Sequence, residues 1–309
     1  MDPEGITSLP KISVIVASFN SGSQSYLKRC LESIKNQDYN GEIEIIVVDG
    51  GSTDDSIAIS NSLGARVIYN QRITELGFNG GKNLGVSYST GKFIAMIDAD
   101  NILMDNKYFT NMITPFLENP EITMTIPTPY LPVTKECTVV CRYFCLLEQK
   151  LWESLTATGV PKGTWIKFRP ANIVVSNGAI IRRSVLESIG GWDYDTEVGF
   201  RLIENGFGCF GMVYSAKRFH IEMLQFRDIW RKFRRRILNQ IEEKKNKKVS
   251  QRIIYGELKN PFIFLNRELL IPIKSISLRH KKYFPVVLIV FFIKIVLGLY
   301  YILNLSLIK

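Results

Sequence analysis

Between residues 11 and 100 the sequence alternates short β-branched runs with stretches of helical spacing, and that alternation restricts the fold more than any other feature. Strand-forming runs fall at 12–16, 43–48, 66–69 and 93–97. Between them lie helical patterns at about 24–36, with Leu27, Leu31 and Ile34 on one face, at 54–63, and around 82–89 after a glycine-rich loop. Strands alternating with helices make a mostly parallel sheet with helices on both faces. Ligands of such sheets bind beyond the carboxyl ends of the strands. Asn20, Asp49 and Asp98 each stand just past a strand end, so one cleft is expected to collect them. Further on, 122–126 reads as a strand, 137–156 as a helix and 158–170 as a loop, and 172–215 mixes strand, turn and helix.

The 309 residues suffice for one large α/β domain with appendages, and 46% hydrophobic against 22% charged residues describes a globular chain. The net charge of +10 admits nucleic acid, an anionic membrane or a phosphorylated substrate as partner. Ten lysines and arginines between residues 226 and 248 face three acids, so +7 of that charge sits in one segment. Phe226, Trp230, Phe233, Ile237 and Ile241 recur there at helical spacing, which makes a basic amphipathic helix of the membrane-surface kind. Residues 283–308 are almost all apolar, interrupted by Lys294, Gly298 and Asn304, and are long enough to span a hydrocarbon core. Together these favour an anionic membrane surface over nucleic acid. The basic run at 279–282 places the preceding domain on the cytoplasmic face. Expected boundaries are the main α/β domain at 1–220, basic interfacial helices at 221–278 and a membrane anchor at 279–309. The N-terminal residues are acidic, with no apolar leader. Cys137, Cys141 and Cys145 form a helical stripe of small buried side chains, and two histidines are too few for a His-rich metal centre.

Asp98-Ala99-Asp100 follows an apolar strand. Two carboxylates so close in a cleft repel unless a divalent cation joins them, and hard oxygen ligands suit Mg2+ or Mn2+ with diphosphate oxygens completing the shell. The run 47–55 ends a strand in Asp49 and turns through Gly50 and Gly51, giving a cleft-facing carboxylate of a kind that can accept from the N–H of a uracil or guanine ring. One of Ser52, Thr53 or Asp54 caps the next helix. The stretch 77–83 imitates a phosphate loop, but Leu76 and Asn83 stand where such a loop needs Gly and Ser or Thr. An NTPase or a dehydrogenase is thereby disfavoured.

In order and spacing, residues 16–20, 48–56 and 79–85, Asp98–Asp100 and the run 190–195 resemble the family 2 inverting glycosyltransferases of the GT-A fold, over about residues 11–220. The resemblance implies a GT-A type, Rossmann-like α/β sheet. It implies nucleotide-sugar binding by Ser18, Asn20, Asp49, Lys82 and Asp98, with Lys82 where relatives carry an arginine. Asp100, with Asp98, is the implied metal pair for Mn2+ or Mg2+, and His220 a further ligand. Asp195 is the implied general base with Glu197 in reserve, because Tyr194 replaces the family's glutamate. Trp192 and Asp193 fall in the implied acceptor half. The expected reaction moves a sugar, most commonly from a UDP-sugar donor, to a hydroxyl of a lipid-linked or membrane-proximal glycan. The competing readings are a polyprenyl-phosphate sugar synthase and a non-catalytic nucleotide-sugar-binding membrane protein.

Overall fold

The computed structural model describes residues 8–22, 26–70, 81–127, 138–146, 165–169, 177–192, 195–220, 230–231, 234, 269–270, 273–274 and 281–306. The chain divides into two compact units, one of residues 1–131 and 158–221, the other of residues 132–157 and 222–309.

The first unit is built on one sheet. β1 (Leu9–Ser18), β2 (Gly41–Asp49) and β3 (Arg66–Tyr69) run parallel, with α1 (Tyr26–Lys35) and α2 (Ser56–Ser62) as crossovers. After α3 (residues 81–87), β4 (Phe93–Met96) returns to the other side of β1, again parallel. The strands order as β3-β2-β1-β4-β8-β6-β9-β7, with β6 (Met124–Pro127), β7 (Trp165–Phe168), β8 (Ile180–Arg182) and β9 (Phe210–Val213). β8 is antiparallel to both β4 and β6, and β7 is an antiparallel edge. Strand order therefore reverses between β1 and β4, which is where a sheet of this kind opens a crevice. A second ribbon pairs β5 (Asn101–Leu103) with β10 (Arg218–His220).

The centre of β1, Val14–Ala17, is apolar without alternation because both of its faces are covered. Ile12, Val14 and Val16 join a core with Leu27, Cys30, Leu31 and Ile34 of α1 and with Tyr108, Phe109, Met112, Ile113 and Phe116 of α4 (Tyr108–Glu118). The expected face of α1 is thus the buried one. Ile15 and Val48 point the other way, toward α3. A Cβ on Gly85 would stand 2.5 Å from Ile15 Cγ2 and 3.0 Å from Val48 Cγ2, so α3 reaches the sheet only because residue 85 has no side chain. α6 (Arg183–Ser188) and α7 (Asp195–Glu204) complete the unit. The expected loop at 158–170 contains β7, a four-residue edge strand between Gly163 and Pro170.

At the amino ends of the strands a single carboxylate ties three elements together. Glu44 accepts from the Ser13 hydroxyl, from Thr90 N–H and Oγ1 and from Gly91 N–H, with Lys11 Nζ 3.9 Å away. Burial works against the charge, but these hydrogen bonds outweigh it and hold the carboxyl below its ordinary value of 4.5. A carboxylate lowered in the folded state stabilises the protein above the unfolded value, and that stabilisation is lost as pH falls through the folded value. Glu44→Gln is expected to cost about 1.5–3 kcal/mol at neutral pH. Its stability should also vary less than the wild type's as pH drops below 4.5, as read by urea midpoints at each pH.

In the second unit, Val140 and Tyr143 of α5 (residues 139–146) pack with Tyr283, Val286, Val287 and Val290 around the start of α8 (Phe284–Ser306). Cys141 and Cys145 are buried, as the stripe suggested, and Cys137 lies outside the described residues. α8 also carries Phe284, Ile289, Phe292 and Val296 exposed, and its side chains are described as far as Val296. Among the described residues no helix is long and apolar enough to cross a membrane. Most of the basic segment 226–248 lies outside the described residues, and its helical residues 230, 231 and 234 are exposed.

Candidate active site

The β1 and β2 ends are joined by short loops that hydrogen-bond to each other. Asn20 takes a left-handed φ of 50°, which asparagine tolerates. Its N–H donates to Ser52 Oγ at 2.8 Å and its Oδ1 accepts from Thr53 N–H at 2.8 Å. Asp49, 1% exposed, accepts from Gly51 N–H at 2.9 Å, Ser52 N–H at 2.8 Å and Ser52 Oγ at 2.6 Å. Much of this carboxylate's capacity therefore holds its own turn, and one lone pair on Oδ2 is left for a ligand. The N-cap of α2 is Asp55, not one of residues 52–54, and its side chain makes no cap bond; Asp54, one residue earlier, accepts from Ser56 N–H at 3.0 Å and from Gly22 N–H at 2.9 Å across the gap. Ser18, in register with Asp49, is 1% exposed, and its hydroxyl has no partner.

Past β4 the two acids of the Asp98–Asp100 triplet have separate companions. Asp98 Oδ1 lies 3.4 Å from Lys82 Nζ, which α3 holds in a nearly buried position. Asp100 Oδ2 lies 3.1 Å from His220 Nε2, and its Oδ1 accepts from Asn101 Nδ2 at 2.9 Å. The ribbon makes the histidine contact, because β10 sets His220 opposite Asn101. A carboxylate and an imidazole facing one another suit a divalent cation whose other ligands come from a diphosphate. Among the described residues no group of three or more His, Cys, Asp or Glu could hold a metal alone.

Cys30 of α1 lies under the triplet and donates to the Asp98 carbonyl at 3.6 Å. Burial, reinforced by the charges of Asp100 and Asp98, pushes its thiol far up. It therefore stays protonated and supports the backbone instead of offering a thiolate.

Trp192 was expected on the acceptor side, and the structure corrects this: it is completely buried. Its backbone N–H donates to Asn83 Oδ1 at 2.6 Å, and its ring centroid lies 5.9 Å from Lys82 Nζ. Arg201 of α7 grips the same loop, donating to the Ile189 carbonyl at 2.8 Å and the Gly191 carbonyl at 2.6 Å. With no exposed ring face for a sugar, Trp192 forms the floor beneath Lys82. Asp195 is the first residue of α7; Asp193 and the side chains of Asp195 and Glu197 lie outside the described residues. Asn83, Arg201, Cys30 and Asn177 carry much of this arrangement, and the sequence gives none of them a site role of its own.

An open, mostly parallel sheet with acidic groups and a buried lysine gathered where strand order reverses is the architecture in which α/β proteins place a ligand site beyond the strand ends. The chain belongs to glycosyl transferase family 2, whose model matches residues 13–190. It is 38% identical over 109 residues to the GalNAc(5)-diNAcBac-PP-undecaprenol beta-1,3-glucosyltransferase of Campylobacter jejuni, covering 34% of this chain and 34% of that one. It is 28% identical over 216 residues to the probable glycosyltransferase YdaM of Bacillus subtilis, covering 66% of this chain and 49% of the relative. The matches thus span from a third to a half of those two relatives' own lengths. Its fold is similar to that of the mannosyltransferase PcManGT from Pyrobaculum calidifontis, solved in complex with GDP-Man and Mn2+. That likeness has a TM-score of 0.53 at 16% identity and covers 85% of this chain and 71% of the other.

Proposed function

We propose that this chain is an inverting glycosyltransferase that moves a hexosyl-type sugar from a nucleotide-diphosphate sugar, with UDP the first candidate, to a hydroxyl of a lipid-linked or membrane-proximal glycan. The observation that carries the reading is the double pairing past β4, Lys82 with Asp98 and His220 with Asp100, in a family 2 chain. The Campylobacter relative, named for an undecaprenol-diphosphate-linked acceptor, supports the acceptor class. The Mn2+ bound by the Pyrobaculum mannosyltransferase supports a divalent ion.

Asp100 and His220 would hold that ion, with Asp98 available to it or to the nucleotide. When bound, Mn2+ or Mg2+ supplies positive charge against the diphosphate leaving group. Lys82 neutralises a phosphate oxygen as a point charge, and its burial limits screening of that charge by salt. Ser18, Asn20 and the remaining lone pair of Asp49 line the nucleotide end. Asp195, with Glu197 in reserve, accepts the proton of the acceptor hydroxyl as its oxygen attacks the anomeric carbon from the face opposite the diphosphate, so configuration inverts. Asp193 is the proposed acceptor contact.

Two measurements test this. A thermal-shift panel of nucleotide sugars with and without Mn2+ should show one donor raising Tm only with the ion, since a ligand at 100 times its Kd adds about 2.7 kcal/mol of stability. Asp195→Asn should lower kcat by about 10²–10⁴-fold with donor affinity unchanged. Wild-type kcat in that variant would remove Asp195 from the role.

The membrane surface belongs to the same proposal. The basic segment at 226–248 and the exposed Phe284, Ile289, Phe292 and Val296 of α8 support contact with anionic lipid on the cytoplasmic face.

A further inference from the structure

We infer that Asn177 is a donor-binding residue, its carboxamide NH2 built to receive an oxygen of the nucleotide sugar beside Asp98. The inference rests on the glycosyltransferase reading above and adds to it a residue to which that reading gives no role.

Asn177 sits in a turn that is fixed on every side. Gly178 N–H donates to the Met96 carbonyl at 2.6 Å, Met96 N–H to the Ala179 carbonyl at 3.1 Å, and the Tyr108 hydroxyl to the Gly178 carbonyl at 2.8 Å. Gly178 holds a φ of +87°, and a Cβ there would stand 2.5 Å from Tyr108 Oη, so the turn has no room for a side chain at that position. The turn carries Asn177 to the end of β4, where its Oδ1 accepts from Asp98 N–H at 2.8 Å. That bond settles the orientation of the amide, because a backbone N–H donates only to the oxygen end. The other end is therefore an NH2 with two protons to give. It is buried, the residue is 5% exposed, and Nδ2 has no hydrogen-bond partner.

A buried amide donor without an acceptor is rare in folded proteins, because its lost hydration is not replaced. Here the arrangement has a chemical meaning. The Asp98 carboxylate, 3.4 Å from Lys82, marks the place where diphosphate and donor sugar must lie. Across the reversal, at the end of β1, the Ser18 hydroxyl is likewise buried and without a partner. Two unsatisfied polar groups thus stand at strand ends on either side of the reversal between β1 and β4, and the incoming substrate is rich in acceptor oxygens. Diphosphate oxygens and sugar hydroxyls share the chemistry Asn177 asks for.

The test uses the full chain with Mn2+ and calorimetric titration of UDP, GDP and their hexose derivatives. Asn177→Asp keeps the oxygen for Asp98 N–H and loses the NH2; Asn177→Ala loses both without adding charge. Both variants are expected to bind the nucleotide sugar about tenfold or more weakly than wild type while Tm of Asn177→Asp stays within a few degrees. A loss seen equally with the bare nucleoside diphosphate assigns the oxygen to phosphate, and a loss confined to the nucleotide sugar assigns it to the sugar. Wild-type affinity in Asn177→Ala overturns the inference, and a loss in Asn177→Asp alone then reports only charge repulsion. If the wild type itself binds no nucleotide sugar, the glycosyltransferase reading fails and Asn177 loses its role with it.

Discussion

Asp100→Ala is expected to lower transfer by about 10²–10³-fold while leaving the protein folded. The size follows from what the carboxylate would hold: an ion stabilising leaving-group charge contributes several kcal/mol, and each 1.36 kcal/mol is a tenfold change in rate. The fold should survive because the side chain is partly exposed and its contacts with His220 and Asn101 lie at the end of the sheet rather than in its core. Two further outcomes separate a metal ligand from a merely structural acid. Wild-type activity should fall on chelation and return with Mn2+, and the Mn2+-dependent rise in Tm with nucleotide sugar should vanish in the variant. His220→Ala should lose less, and the double variant should be no worse than Asp100→Ala alone, since the two side chains act at one point. Turnover within twofold of wild type in Asp100→Ala would falsify the role proposed for this pair.

That pair also shows where the sequence was legible and where it was not. Asp98–Asp100 could be read because it follows a run of apolar residues at the end of the fourth alternating unit, and the strand–helix rhythm alone places such a triplet in the crevice. The rhythm likewise located β1 to β4, and the buried face of α1. The histidine's placement was not legible in the same way. It depends on a ribbon of two three-residue strands, too short to show any period, joining residues separated by 120 positions. α4 was not anticipated at all, because Pro115 breaks its pattern near the carboxyl end, although an apolar face of five residues carries the helix past it. β7 was hidden for a similar reason, four residues among glycine and proline. Asn177 and Arg201 stand in runs with family-like spacing, but what their side chains hold depends on backbone groups that only the fold brings to them.

Trp192 is the residue for which burial reverses the expectation drawn from sequence, and Trp192→Ala should accordingly cost about 3–5 kcal/mol. A domain with a typical stability of about 5–15 kcal/mol would lose a large share of it. If the ring stacked on an acceptor sugar, its removal would raise the acceptor KM and leave the urea midpoint unchanged. The structure requires the opposite order of effects. The ring fills space beneath Lys82, 5.9 Å from Nζ, while the Trp192 N–H and the Gly191 carbonyl are held by Asn83 and Arg201. Truncation leaves a cavity under the one buried lysine of the described residues and loosens the loop that leads into α7. Stability should fall first, donor affinity should follow as Lys82 loses its support, and acceptor KM should move least. Trp192→Phe, which keeps most of the apolar volume, should retain both donor affinity and most of the stability. Measuring urea midpoints with donor and acceptor KM below each variant's melting range separates the two possibilities. An acceptor-specific defect in a fully stable Trp192→Ala would return the ring to the acceptor site.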